Sequence, residues 1–152
     1  MLGVCSGTAH AAADCSITAV SLNFGTYDPV VTSADDSVGT VTVTCRHVSG
    51  GAERVNYSVT LSNGLFGTSA TTRKMGAGTG RLGYNVFADP ARTRVWGNGS
   101  NSTVIATGEM TVGPGAGNGT KTFMHTVYGR IPQLQDAVPG TYNDTMVLTL
   151  TF

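Results

Sequence analysis

The side chains that could do acid–base or metal chemistry are scattered along this chain. Most of its 9 Asp and Glu residues stand in stretches with turn chemistry, where a carboxylate caps the backbone. The pair Asp35-Asp36 could touch a cation, but no calcium-loop pattern surrounds it, and we interpret it as a solvated loop. His10, His47 and His125 are isolated from one another. We therefore predict no catalytic residue, no metal site and no cofactor, and we expect that the protein is not an enzyme.

Two glycine-rich stretches, 76–80 and 113–119, superficially resemble phosphate-binding loops. Neither lies between a strand pattern and a helix pattern, which is the context that such a loop requires. No G-x-S-x-G elbow marks a serine nucleophile. Both glycine-rich stretches are therefore predicted to connect strands.

Aromatic residues offer a second kind of site. Tyr84 and Trp96, with Phe87, could form a platform on which a sugar stacks, although aromatic side chains are more often packed in a core. A self-contained carbohydrate-binding β-sandwich is therefore the alternative function that the residues leave open.

Composition limits the class of protein. A chain of 152 residues is most simply one domain, and its 9 Lys and Arg balance its 9 Asp and Glu, which gives no electrostatic case for nucleic acid or an anionic membrane. Only 12% of residues are charged and 21 are glycine, a composition that favours short strands joined by turns over long surface helices. The sequence contains no apolar run of membrane-spanning length. We predict an all-β protein.

The first thirteen residues differ from the rest of the chain. Ala9-His10-Ala11 and Ala11-Ala12-Ala13 both fit the small-x-small rule for signal-peptide cleavage. We interpret residues 1–13 as the tail of a secretion signal that starts upstream of Met1, and residues 14–152 as the mature domain. A disordered mature N-terminus is the alternative.

Export would change the cysteine count. Cleavage would remove Cys5 and leave Cys15 and Cys45, an even number that favours one disulfide in an oxidising compartment. The alternative is two free thiols. Two cysteines alone cannot form a structural zinc site.

Alternation of apolar and polar residues recurs along the chain and marks half-buried strands. Val41, Val43 and Cys45 alternate with threonines, so they are expected to face inward together. The same pattern predicts inward faces formed by Val55, Tyr57, Val59 and Leu61, and by Leu82, Tyr84 and Val86. About seven to nine short strands with glycine turns are typical of a β-sandwich.

One segment departs from simple alternation. Ser16–Phe24 has one apolar phase at Ile17 and Ala19 and another at Val20, Leu22 and Phe24, which predicts a kink or bulge near Ala19. Residues 103–112 and 120–131 are predicted to form a hairpin around the second glycine-rich stretch.

The final strand gives the clearest functional signal. Met146, Leu148, Leu150 and Phe152 share one face, and threonines occupy most of the other face. Because no later residue follows to pair with this strand, we expect a free edge that is completed by a strand from another chain.

Four stretches together resemble the spore coat protein U domain family. They are Leu22–Pro29, Val41–Cys45, Tyr84–Gly97, and Val127–Pro132 followed by Val138–Asp144. The resemblance covers nearly the whole chain after Ala13.

The resemblance implies an immunoglobulin-like β-sandwich that lacks its final strand and is completed by donor-strand complementation. It also implies a disulfide between Cys15 and Cys45. The expected groove residues are Ile17, Ala19, Met146, Leu148, Leu150 and Phe152. The expected partners are a periplasmic pilus chaperone, an outer-membrane usher and other pilus or coat subunits.

The short segment before Cys15 suggests which subunit this is. A donor strand needs roughly ten extended residues, and cleavage as interpreted above would leave at most three before Cys15. We therefore expect an exported surface protein that accepts a strand but does not donate one. A tip or minor subunit of an archaic chaperone–usher pilus, or a spore-coat component, fits that description.

Overall fold

The computed structural model describes residues 12–152, which form nine β-strands and no helix. All pairings between the strands are antiparallel. The strands are β1 Ala13–Val20, β2 Asp35–His47, β3 Glu53–Leu61, β4 Lys74–Ala77, β5 Gly80–Gly83, β6 Asn85–Phe87, β7 Ala106–Val112, β8 Thr120–Ile131 and β9 Leu148–Thr151. The all-β prediction and the expected number of strands are confirmed. None of these residues forms a helix that could cross a membrane.

The domain consists of two sheets packed face to face, with a small hairpin beside them. One sheet has the strand order β1-β2-β8-β6, the other has the order β7-β3-β9, and β4 pairs with β5. Side chains from both sheets meet in the core, where Val43 of β2, Val59 of β3 and Val112 of β7 are fully buried. The alternation read from the sequence therefore places the apolar faces correctly, because successive strand residues point to opposite sides of a sheet.

Strand β1 keeps an unbroken register with β2 through Val20, so the apolar phase changes after the strand ends and not at a kink or bulge near Ala19. Ile17 is partly buried and packs against the core, whereas Val20 is 69% exposed. After Val20 the chain leaves the sheet, and Leu22 and Phe24 turn inward onto the core. The strand begins at Ala13, one residue before the predicted start of the mature domain. The predicted signal segment lies, up to residue 11, outside the described residues.

The predicted hairpin between residues 103–112 and 120–131 is wrong. Strand β7 pairs with β3, whereas β8 pairs with β2 and β6, so the two strands belong to opposite sheets. The glycine-rich loop 113–119 crosses from one sheet to the other. It closes a local turn in which the Gly113 N–H donates to the Asn118 carbonyl oxygen (2.9 Å).

Residues 94–96 form no regular strand and take part only in single bridges. Val95 bridges to Phe87, and Trp96 bridges to Val104. The indole Nε1–H of Trp96 donates to the Val59 carbonyl oxygen (3.0 Å) from inside the core.

Cys15 and Cys45 lie directly opposite each other on β1 and β2 and form a disulfide. The disulfide prediction is confirmed. It links the edge strand β1 covalently to the strand that carries Val41 and Val43.

His125 lies on the inward face of β8 and joins the two sheets. Its Nε2 shares a hydrogen bond with the Tyr57 hydroxyl on β3 (3.0 Å), and its ring contacts those of Phe123 and Trp96. Burial lowers the pKa of His125 because a charged imidazolium would lose its hydration there.

Removal of the disulfide is expected to destabilise the domain. The bond spans a sequence separation of 30 residues. Such a loop constrains the unfolded chain by about 3.7 kcal/mol in the chain-entropy model. The double variant Cys15→Ala with Cys45→Ala should lose roughly that much unfolding free energy in guanidinium titrations. Reductant should lower the unfolding free energy of the wild type and leave that of the variant unchanged. A wild type whose unfolding free energy does not respond to reductant would contradict the prediction.

His125 is expected to make stability depend on pH. Because its pKa is lowered in the folded state, its stabilising effect is fully present above the ordinary value of 6.5 and is lost as the pH falls through the lowered pKa. The unfolding free energy of the wild type should therefore decrease between pH 7 and pH 5. His125→Gln cannot titrate, so its unfolding free energy, measured in denaturant titrations at matched pH values, should decrease less over this range. If the unfolding free energies of both proteins change equally with pH, His125 is not the group responsible.

Candidate functional site

A cleft of about 400 Å³ opens along one side of the sandwich, between the sheet edge formed by β1 and the edge formed by β9. One wall consists of Ala19 and the segment that follows it to Phe24. The other wall consists of residues 142–146 and Leu148. The floor is mainly apolar and aromatic: Val41, Leu61, Met75, Tyr84, Trp96 and Val127. The cleft is therefore a gap in the side of the core.

The β9 wall presents free backbone groups. Ser62 N–H donates to the Val147 carbonyl oxygen (3.0 Å), which continues the β3–β9 register and places alternate residues of this strand in hydrogen bonds to β3. By the alternation of an antiparallel ladder, the backbone groups of Met146, Leu148 and Leu150 point away from β3. Among residues 12–152, no strand lies beyond them.

The β1 wall has the same property. The N–H of Val48 donates to the Ala12 carbonyl oxygen (2.8 Å), so the even-numbered residues of β1 bond to β2. The backbone groups of Ala13, Cys15, Ile17 and Ala19 therefore point away from β2. The described part of the chain adds no strand on that side either. Two unpaired edges thus border one apolar cleft.

The structure brings together half of the predicted groove residues. Ala19, Met146 and Leu148 line the cleft. Ile17 and Leu150 are partly buried and pack against the core instead. Phe152 is 54% exposed and borders a separate depression on the side of β3 and β7.

Several cleft residues were not predicted. Leu22 and Phe24 line one wall, and the Phe24 ring packs edge-on against Tyr84, with 6.3 Å between ring centroids. The second apolar phase of Ser16–Phe24 was the signal that could have identified them. Tyr142, on the other wall, lies in a stretch without alternation, so no periodic signal marked it.

Asp144 fixes the chain where it enters the cleft wall. The Tyr84 hydroxyl donates to Asp144 Oδ2 (2.6 Å), and the N–H groups of Leu65 and Thr145 donate to Oδ1 (2.7 and 2.8 Å). Burial, reinforced by the hydrogen bond to Asp144, raises the pKa of the Tyr84 hydroxyl, which keeps it a donor. Gly64 has a positive φ of 80° beside this carboxylate, and a Cβ there would collide with it.

Arg73 is 1% exposed and lies beneath the same wall. Its guanidinium donates to the carbonyl oxygens of Ser62 (Nε 3.0 Å, Nη2 2.7 Å) and Trp96 (2.8 Å), and to Asn85 Oδ1 (2.9 Å). Burial lowers the pKa of this guanidinium, since the charge has lost its hydration. The fork geometry of arginine lets one side chain satisfy several acceptors at once. Arg73 therefore ties the end of β3 to β6 and to the Trp96 segment.

The residues proposed for a sugar platform are inside the protein. Trp96 is 1% exposed and Tyr84 is 5% exposed. A ring that stacks on a sugar must present its face to solvent, so this burial weighs against the carbohydrate alternative. In residues 12–152, no cluster of three or more His, Cys, Asp or Glu side chains could hold a metal ion.

Comparison with known proteins identifies the family. The family model of the Spore Coat Protein U domain matches residues 2–149. Protein U of Myxococcus xanthus is 35% identical in an alignment of 144 residues, and the match covers 87% of this chain and 72% of that protein.

A solved structure shares the fold. It is a chain in the crystal structure of the CsuC–CsuE chaperone–tip adhesion subunit pre-assembly complex, from archaic chaperone–usher Csu pili of Acinetobacter baumannii. The TM-score is 0.57 at 22% identity, and the match covers 92% of this chain and 40% of the other. The present chain therefore spans less than half the length of that structural relative.

The strands of residues 12–152 thus define an all-β domain whose fold is shared with a chain of that chaperone–tip subunit complex. The chain belongs to the Spore Coat Protein U domain family.

Replacement of Arg73 tests its role beneath the cleft. Arg73→Met should leave buried carbonyl groups without donors, each at a cost of about 1–3 kcal/mol. We expect a loss of roughly 3 kcal/mol or more in urea titrations followed by fluorescence of Trp96, the only tryptophan. Arg54→Met is the matched control, because that side chain is 65% exposed in a surface ion pair and should cost less than about 1 kcal/mol. Equal losses for both variants would contradict the prediction.

Proposed function

We propose that this protein is an exported structural subunit of the cell surface whose cleft accepts a β-strand from another chain. The observation that supports this proposal best is the apolar cleft between the two free edges, β1 and β9. An inserted strand would offer backbone partners to Met146 and Leu148 and place alternate side chains on the cleft floor. This is binding by strand addition.

The order of the strands supports an incomplete immunoglobulin-like sandwich. The order β1-β2-β8-β6 corresponds to strands A, B, E and D of that fold. In the other sheet, β3 and β9 take the positions of C and F, and β7 lies at the far edge. The position next to β9 would belong to strand G, and no described residue fills it.

The energetics favour an extended segment with apolar residues at every second position. Each Val- or Leu-sized side chain that fills the cleft would contribute roughly 1.5–3 kcal/mol. Each backbone hydrogen bond to a free edge would add about 1 kcal/mol. Few such contacts are needed before the inserted strand stabilises the domain substantially.

The partners follow from the class of assembly. A periplasmic chaperone would fill the cleft first, an outer-membrane usher would pass the subunit outward, and a neighbouring subunit would replace the chaperone. The fold shared with a chain of the chaperone–tip adhesion subunit complex supports a tip or minor pilus subunit. Membership of the Spore Coat Protein U domain family supports a coat component. On either assignment the protein would be exported and act at the cell surface.

The direct test is co-expression of the full chain with a chaperone from an archaic pilus system. We expect co-purification, and we expect a synthetic peptide with alternating apolar residues to displace the chaperone and to raise the melting temperature. A soluble, stable monomer that ignores both chaperone and peptide would refute the proposal.

Leu148→Asp is expected to abolish chaperone binding. Leu148 lines the cleft, and a carboxylate there would lose its hydration when a strand covers it. Thr149→Asp is the matched control, because Thr149 is exposed on the opposite face of the same strand. Pull-down of the chaperone should fail for the first variant and succeed for the second; retention of binding by Leu148→Asp would contradict the groove assignment.

A further inference from the structure

Residues 143–146 of the cleft wall, and Val147 after them, precede the regular ladder of β9, which begins at Leu148. Asn143 is held by a reciprocal pair of backbone hydrogen bonds to Gly76 (2.9 and 3.1 Å). Val147, at the other end of this segment, is held by Ser62. The position of the wall therefore depends on a small number of contacts.

The contact between Ser62 and Val147 departs from an ordinary ladder. Ser62 N–H donates to the Val147 carbonyl oxygen (3.0 Å), as the register of β3 and β9 requires. The return bond, however, runs from Val147 N–H to the Ser62 side-chain Oγ (2.9 Å) instead of the Ser62 carbonyl oxygen.

The Ser62 carbonyl oxygen is engaged by Arg73 instead of by Val147. The Ser62 carbonyl oxygen accepts from both Nε and Nη2 of the buried Arg73 guanidinium. The Ser62 carbonyl thus points toward the buried Arg73 guanidinium, and the Ser62 hydroxyl accepts from Val147 N–H in its place. A residue without a side-chain oxygen at this position would leave Val147 N–H without that acceptor.

We infer that Ser62, oriented by Arg73, is a positioning residue for the strand-accepting edge. It holds Val147 in register, so that the backbone groups of Met146 and Leu148, on either side, face the cleft. This inference rests on the proposed strand-accepting function. The strand boundaries alone would not show this role, since Ser62 lies one residue beyond the end of β3.

Ser62→Ala tests the inference, with Thr60→Ala as the matched control. Thr60 pairs with Thr149 in the regular ladder, where backbone bonds alone set the register. The probe is the synthetic donor peptide with alternating apolar residues. We expect Ser62→Ala to bind it about tenfold more weakly, chiefly through faster dissociation, whereas Thr60→Ala should bind within about twofold of the wild type.

Amide hydrogen exchange provides a readout that general destabilisation would not mimic. In Ser62→Ala without peptide, the Val147 amide should exchange at least tenfold faster, while the amide of Thr149 keeps its protection. Ser62→Thr retains a side-chain oxygen and should restore both the protection and the affinity.

The outcomes separate the two proposals. If the wild type fails to bind the peptide, the strand-accepting function is wrong. If the wild type binds but Ser62→Ala binds equally well, or its Val147 amide keeps its protection, the positioning role of Ser62 is wrong and the function stands.

Discussion

The buried guanidinium of Arg73 is the constraint on which this side of the sandwich depends. A charge removed from water is tolerated only where it is fully hydrogen-bonded, and here carbonyl groups and an amide supply the acceptors. Those acceptors belong to the end of β3, to the Trp96 segment and to β6. The floor of the cleft is therefore fixed by polar contacts beneath it, although its surface is mainly apolar.

This arrangement keeps an incomplete core in shape. An apolar gap would ordinarily close by collapse of its walls, because side chains pack to high density. Asp144, bonded to Tyr84 and Leu65, holds one wall, and the disulfide between Cys15 and Cys45 fixes the strand that leads to the other. The cleft is thus preorganised, and little ordering of the acceptor would be needed when a strand enters.

Sequence periodicity predicted the parts of the fold that depend on the two faces of a strand. The inward positions of Val43, Val59 and Leu148 followed from alternation alone. The crossing from β7 to β8 could not be predicted in this way. A seven-residue glycine-rich loop can connect two paired strands of one sheet, or two strands that lie in different sheets. Arg73 lies in a weakly patterned stretch, and its burial depends on acceptors that come together only in the folded chain. The role of Ser62 could not be predicted either, because it depends on contacts with Arg73 and Val147 that form only in the folded chain.

The position of the disulfide has a mechanical consequence. If a partner's strand fills the cleft, tension along a fibre would reach this domain through hydrogen bonds to β1 and to β9. Strand β1 is joined to β2 over its whole length, Ala13 to Val20, and also by a covalent bond. Strand β9 is held by a four-residue ladder and by Ser62. Under load, the covalently anchored edge would resist shear, and the edge beside Ser62 would yield first.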